Sequence, residues 1–242
     1  KYRTFCNKLE AFLTNEKGKV KDLVFAELTP ALISQFDGFL RTLPNEKYPD
    51  KVLHPNTVQT NLNIFRTLIK RAIEVNGLMK MDSNPFLTFK YKGVRTEKKK
   101  LNSKEINSIK ELELQKDSLI WNCRNYFLFS YYCAGIRAGD LMQLRWSNIS
   151  SDNRISYQMG KNHKTRDLKL PAQALEILQL YKKEDTKPTD YLFPILNNEA
   201  EWAKAMTQAE IDVLPAKMKE QMYNQISSKN AIINKELKKI AK

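Results

Sequence analysis

The chain has 242 residues, 42% of them hydrophobic, with a formal charge of +14 and a pI near 9.5. That balance points to a polyanion, either nucleic acid or an anionic membrane surface, and no apolar run approaches the roughly 18 residues of a membrane span. The polar and aromatic opening KYRTFCNKLEAF does not read as a signal peptide. Three scattered cysteines (Cys6, Cys123 and Cys133) and two histidines (His54 and His163) exclude a disulfide framework and a multi-histidine metal site. The expectation is a cytoplasmic protein of one or two domains with reduced, structural thiols and no cofactor.

Tyr2 to Thr14 reads as an amphipathic helix with Phe5, Leu9, Phe12 and Leu13 on one side. Gly18 lies in a charged break. Thr29 and Pro30 then have the form of an N-cap and first helical residue, and Ile33, Phe36, Phe39 and Leu40 continue that helix. Leu43 to Asn56 is rich in proline and charge and reads as a loop. His54-Pro55-Asn56-Thr57 opens the strongest helix of this part, whose apolar face is Val58, Leu62, Phe65, Leu68, Ile69, Ala72 and Ile73. Gln59, Asn63, Arg66 and Lys70 form a separate polar stripe. With Asn56 and Thr57 they are candidate DNA contacts, since amides read base edges and cations hold phosphates; the alternative is an ordinary solvated helix face. Asn76-Gly77 stops the helix, and Asn84-Pro85-Phe86 ends the bundle.

The charge is uneven. Residues 1–100 hold 19 Lys and Arg against 10 Asp and Glu. Six of those cations fall in Lys90 to Lys100, KYKGVRTEKKK, which reads as a linker. Lys98, Lys99 and Lys100 suit a phosphate backbone, although charge runs are more often merely solvated. The domain reading is 1–92 for the helical bundle, 93–100 for the basic linker and 101–242 for a second domain. Asn102 and Glu105 have capping-box spacing at the start of that domain.

The stretch from Asn125 to Ile149, NYFLFSYYCAGIRAGDLMQLRWSNI, organises the second domain. A nearly all-apolar helix runs from Tyr126 to Cys133, Gly135 interrupts it, and Arg137 and Asp140 follow before the apolar Leu141, Leu144, Trp146 and Ile149. These neighbours place Arg137 close to a core, where a cation needs a partner or an anionic ligand. Asp140 can steady the guanidinium while its free edge takes a phosphate bidentately; the alternative is a plain ion pair at a helix start. Arg154 to Met159 and Arg166 to Leu170 alternate like strands around the basic turn GKNHKT, giving a hairpin with Lys161 and Lys164 at its tip. Pro171 to Lys183 starts another helix, Tyr191-Leu192-Phe193-Pro194 is a short apolar stop, and Asn197 to Met222 is polar, with Trp202 and Met206 as possible caps on the core. Ala231 to Ala241 reads as an amphipathic helix with Ile232, Ile233, Leu237 and Ile240 inward.

AGIRAGDLMQLRW resembles the first arginine box of the tyrosine recombinases, the phage integrase family, on Gly135, Arg137, Asp140, Leu141, Leu144 and Trp146. The helix opening on Asn-Thr-Val and the closing Asn-Pro-Phe are similar to the family's core-binding domain. The resemblance implies a mainly α fold with a small antiparallel sheet: a SAM-like helical bundle followed by a mixed α+β catalytic domain. It implies site-specific cutting and rejoining of double-stranded DNA through a 3′-phosphotyrosyl link, as in DNA integration by a mobile element, without metal or nucleotide. Arg137 would be the first catalytic arginine, Asp140 its support, and Lys161, or alternatively Lys164, the catalytic lysine. Four protomers would assemble on two duplexes, with the basic linker as the strap of a clamp. The family's His-x-x-Arg box and nucleophilic tyrosine have no counterpart here: no histidine follows His163, and Tyr223 precedes the point where the second box belongs. The expectation is therefore a catalytic domain truncated at its C-terminus, able to bind DNA but not to cleave it. The rival is a non-catalytic DNA-binding protein with a degenerate recombinase fold. A His-x-x-Arg box and a tyrosine encoded beyond residue 242 would favour the first.

Overall fold

The computed structural model describes residues 2–241, and the chain divides into two compact units between Lys99 and Lys100. The described residues are mainly helical, with two two-stranded antiparallel sheets, one in each unit. No described helix is long and apolar enough to cross a membrane.

The first unit is built on three helices, α1 (Tyr2–Leu13), α2 (Pro30–Thr42) and α3 (Pro55–Glu74). Thr29 caps α2 by accepting from the Leu32 N–H at 3.2 Å, with Pro30 needing no such partner at the first position. Phe5, Phe36, Phe65 and Phe86 meet edge-on or tilted, with ring centroids 5.5 to 6.1 Å apart, and form the centre of the core. Phe86 enters from a 3-10 turn, Pro85–Leu87, that the Asn84 side chain caps. Gly77, at φ +62, ends α3, and the Leu78 N–H reaches back to the Ala72 carbonyl at 2.8 Å.

Two readings of this unit are corrected. Leu43 to Asn56 is not all loop: β1 (Pro44–Asn45) pairs with β2 (Tyr48–Val52), and Asn45 accepts from the Lys47 and Tyr48 N–H groups to close the turn. The strands lie outside the core, so they carry no apolar alternation to betray them. On α3, Leu68 is exposed and the position taken by a polar residue in the buried face is Asn61, whose amide bonds the Thr57 carbonyl at 2.8 Å.

The second unit packs α4 (Ser103–Glu111), α5 (Leu119–Tyr132), α6 (Ala138–Gln143), the hairpin β3 (Arg154–Gln158) and β4 (Thr165–Lys169), α7 (Ala172–Gln179), α8 (Gln208–Val213) and α9 (Ala216–Ile240). The capping box at α4 is made, with Asn102 and Glu105 each accepting the other's N–H at 2.7 to 3.0 Å. α5 is longer than expected because Ser118 caps it eight residues before the apolar run that begins at Tyr126. It forms the centre of the core through Cys123, Tyr126, Leu128 and Phe129, with Phe193 stacked edge-on against Phe129. α9 is also longer than its apolar C-terminal third suggests, and it packs on α5. Ile233 is buried, whereas Ile232 is 41% exposed and does not face inward. The thiols differ too. Cys123 and Cys133 are buried, while Cys6 is exposed and is no core residue.

Candidate functional site

In the second unit the site begins where α5 stops. Ala134 (φ 54) and Gly135 (φ 78) are consecutive left-handed residues, a reversal that costs alanine roughly 1–2 kcal/mol and glycine nothing. The Gly135 N–H bonds the Ser130 carbonyl at 2.7 Å, and the Ser130 hydroxyl donates to the Ile136 carbonyl at 2.6 Å. The turn delivers Arg137 to the N-cap position of α6, between the buried Ile136 and Leu141.

Arg137 itself points outward, with 47% of its side chain exposed, so the expectation that the core would hold it close is corrected. The buried neighbours fix its backbone and leave its charge in solvent. Asp140 is the buried member of the pair, with 9% of its side chain exposed, and lies 3.7 Å from the guanidinium. Its place in the first turn of α6 suits a carboxylate, which faces the positive end of the helix. Its other oxygen accepts from the Gly160 N–H at 3.1 Å. A side-chain carbon at residue 160 would sit 3.1 Å from that oxygen, so glycine lets the hairpin approach.

Gly160 belongs to the tip of the β3–β4 hairpin. The Met159 N–H bonds the Lys164 carbonyl, the His163 N–H bonds the Met159 carbonyl, and His163 takes the left-handed conformation at φ 55. His163 is a turn residue. Lys161 and Lys164 are exposed and take part in no ion pair among the described residues. One carboxylate thus ties the arginine turn to the lysine turn. The result is a basic surface carrying one planar fork and two exposed ammonium groups. No cluster of three or more metal-ligating side chains occurs among the described residues.

Arg145, in the same apolar run, was not singled out in the sequence and has the opposite environment. It is 5% exposed, stacks on Tyr191 at 4.2 Å, and donates to the Thr189, Ala203 and Ala205 carbonyls and the Tyr191 hydroxyl. Burial raises the Tyr191 phenol pKa, and the Arg145 cation opposes that rise. A guanidinium buried this deeply among internal acceptors is structural.

In the first unit the polar stripe of α3 is partly occupied. Asn56 forms a two-point bond with Val94, donating to its carbonyl at 2.9 Å and accepting its N–H at 2.8 Å. Tyr91 donates to Asn63 at 2.7 Å, and Gly93 lies so close that a side-chain carbon there would meet Gln59 at 2.2 Å and Asn56 at 2.4 Å. Asn56 and Asn63 thus bond the chain's own segment, and Gln59 lies against it. Thr57 and Arg66 remain exposed, and Lys70 is exposed in a 3.6 Å pair with Glu74. Lys98, Lys99 and Lys100 are exposed in a segment with no helix or strand.

A family model described as the phage integrase SAM-like domain matches residues 1–92, and one described as the phage integrase family matches residues 99–229. Searches of curated proteins and of solved structures gave no match.

Proposed function

Because this chain belongs to the phage integrase family, we propose that it serves site-specific DNA recombination of the tyrosine recombinase type. Residues 1–242 would supply the DNA-binding unit and the first part of the catalytic unit. The observation that carries the reading is the bond from the Gly160 N–H to Asp140, which joins the turn presenting Arg137 to the turn presenting Lys161. A scissile phosphodiester lying on both turns would meet the Arg137 fork on its non-bridging oxygens. There the fixed charge stabilises the extra negative charge of a pentacoordinate phosphorus. Lys161 would protonate the leaving 5′-oxygen as general acid, with Lys164 as the neighbouring cation on the backbone. Asp140 holds the fork and touches no reacting atom. No histidine follows His163, so the polypeptide is proposed to lack the second arginine box and the nucleophile and to hold duplex DNA without cutting it.

Cation–phosphate contact makes binding steeply salt-dependent, and each phosphate contact removed lowers the salt slope by about one. Fluorescence anisotropy with a labelled mixed-sequence duplex is expected to give salt-dependent binding. Arg137→Ala is expected to weaken it about tenfold with a shallower salt slope and an unchanged unfolding midpoint. Binding indifferent to salt, or preference for RNA of equal length, would refute the reading. Covalent capture of a nicked substrate by this same polypeptide would refute its expected inability to cleave.

A further inference from the structure

Arg166 sits on β4, two residues beyond Lys164 and directly across the ladder from Tyr157. Its guanidinium is not directed at an acid, and it appears in no ion pair among the described residues. Instead it donates to the Ala134 carbonyl at 2.7 Å and the Cys133 carbonyl at 3.4 Å. Those carbonyls end α5, where the helix dipole is negative and a cation is favoured. They also open the left-handed Ala134–Gly135 reversal that sets the backbone of Arg137.

We infer that Arg166 is a positioning residue that fixes the Arg137 turn against the lysine-bearing hairpin. The hairpin then grips the arginine turn at two points. Arg166 holds the carbonyl side before Arg137, and the Gly160 N–H holds Asp140 after it. With both points made, Arg137 and Lys161 keep a constant separation. With the first lost, the reversal is held only from within its own turn, by its bonds to Ser130 and Tyr131, and Arg137 can swing relative to the hairpin. The alternative is a plain helix C-cap, which would stabilise α5 without governing Arg137.

This inference rests on the proposed phosphate role of Arg137, and its test separates the two. In the DNA-free chain, the Nε–Hε resonance of Arg137 is followed by NMR in the parent, Arg166→Ala and Arg166→Lys. Arg166→Ala is expected to shift and broaden it, and Arg166→Lys, which keeps one donor near Ala134, to restore much of the parent signal. An unmoved Arg137 resonance, with only the unfolding midpoint lowered, would overturn the inference in favour of the helix cap. With duplex DNA, Arg166→Ala is expected to lower affinity about fivefold, and to add less than about twofold on top of Arg137→Ala, since the two act through one contact. Full additivity would overturn it as well. Should Arg137→Ala leave DNA affinity unchanged, the phosphate role falls while the resonance experiment still decides on Arg166. If Arg166→Ala fails to fold, Arg166→Met, which keeps the length of the side chain and has no donor for the Ala134 carbonyl, carries the same comparison.

Discussion

The polar stripe of α3 and the arginine turn between α5 and α6 read alike in sequence, as polar groups set beside apolar runs, yet they end in opposite conditions. Along α3, Asn56, Gln59 and Asn63 are in contact with Tyr91 to Val94 of their own unit. At the arginine turn the side chain of Arg137 stays half in solvent, with Asp140 at 3.7 Å as its one ion-pair partner among the described residues. Arg145, eight residues on, completes the contrast, because its guanidinium is buried and donates to four internal acceptors. Residue type therefore says little about availability. What separates a ligand-binding group from a scaffold group is whether the chain itself already satisfies its hydrogen-bonding capacity.

That contrast can be broken most severely at Arg145. Arg145→Ala leaves several buried oxygens without donors, each costing about 1–3 kcal/mol, and is expected to lower stability by at least ~3 kcal/mol in urea unfolding. Arg137→Ala, by comparison, should stay within about 0.5 kcal/mol of the parent while losing DNA affinity. Equal destabilisation by both would erase the distinction.

A smaller effect is expected where α3 meets the following segment. Gly93→Ala forces Asn56 and Gln59 apart from the backbone, and Asn56→Ala removes the two-point bond outright, a loss of about 1–2 kcal/mol confined to that contact. Tryptic cleavage within residues 90–100 should accelerate in both variants while the far-UV spectrum stays the same. With its amide held by Val94, Asn56 should influence all duplexes alike. Competition with duplexes of differing sequence checks this, and a loss of preference at a single base pair would show that the stripe reads bases after all.

The mildest test concerns the thiols. Burial raises the pKa of Cys123 to about 11 and of Cys133 to about 12, so at pH 8 both remain neutral thiols inside the fold. Cys6 is exposed. Ellman's reagent is expected to find one reactive thiol in the native chain and all three in urea. A second fast thiol under native conditions would mean that the α5 core opens readily.

Much of the scaffold was legible because local chemistry and periodicity agree there. Thr29-Pro30, the Asn102–Glu105 box, the glycine stop at residue 77 and the alternation of β3 and β4 all took the expected form. What escaped lies where burial is set by distant partners. The β1–β2 ribbon has no buried face, so it offers no period. The first turns of α9 are polar because few of their residues, Met222 among them, reach the core. Arg145 carries no local signal because its acceptors belong to segments far along the chain. Arg137 was noticed for its neighbours, yet those neighbours anchor only its backbone. Arg166 had no signal beyond its place in a strand, since the carbonyls it holds bear no side-chain identity.

The anchoring of Arg145 has a consequence in time. Its acceptors at Thr189, Ala203 and Ala205 lie 44, 58 and 60 residues downstream. On a ribosome, where chains emerge at about 5–20 residues per second and fold unit by unit, this guanidinium waits several seconds for its last carbonyls. The first unit, whose aromatic centre is complete once Phe86 has emerged, can close during that interval. The order of synthesis thus gives the nascent chain a finished lobe before the slower one has all its pieces.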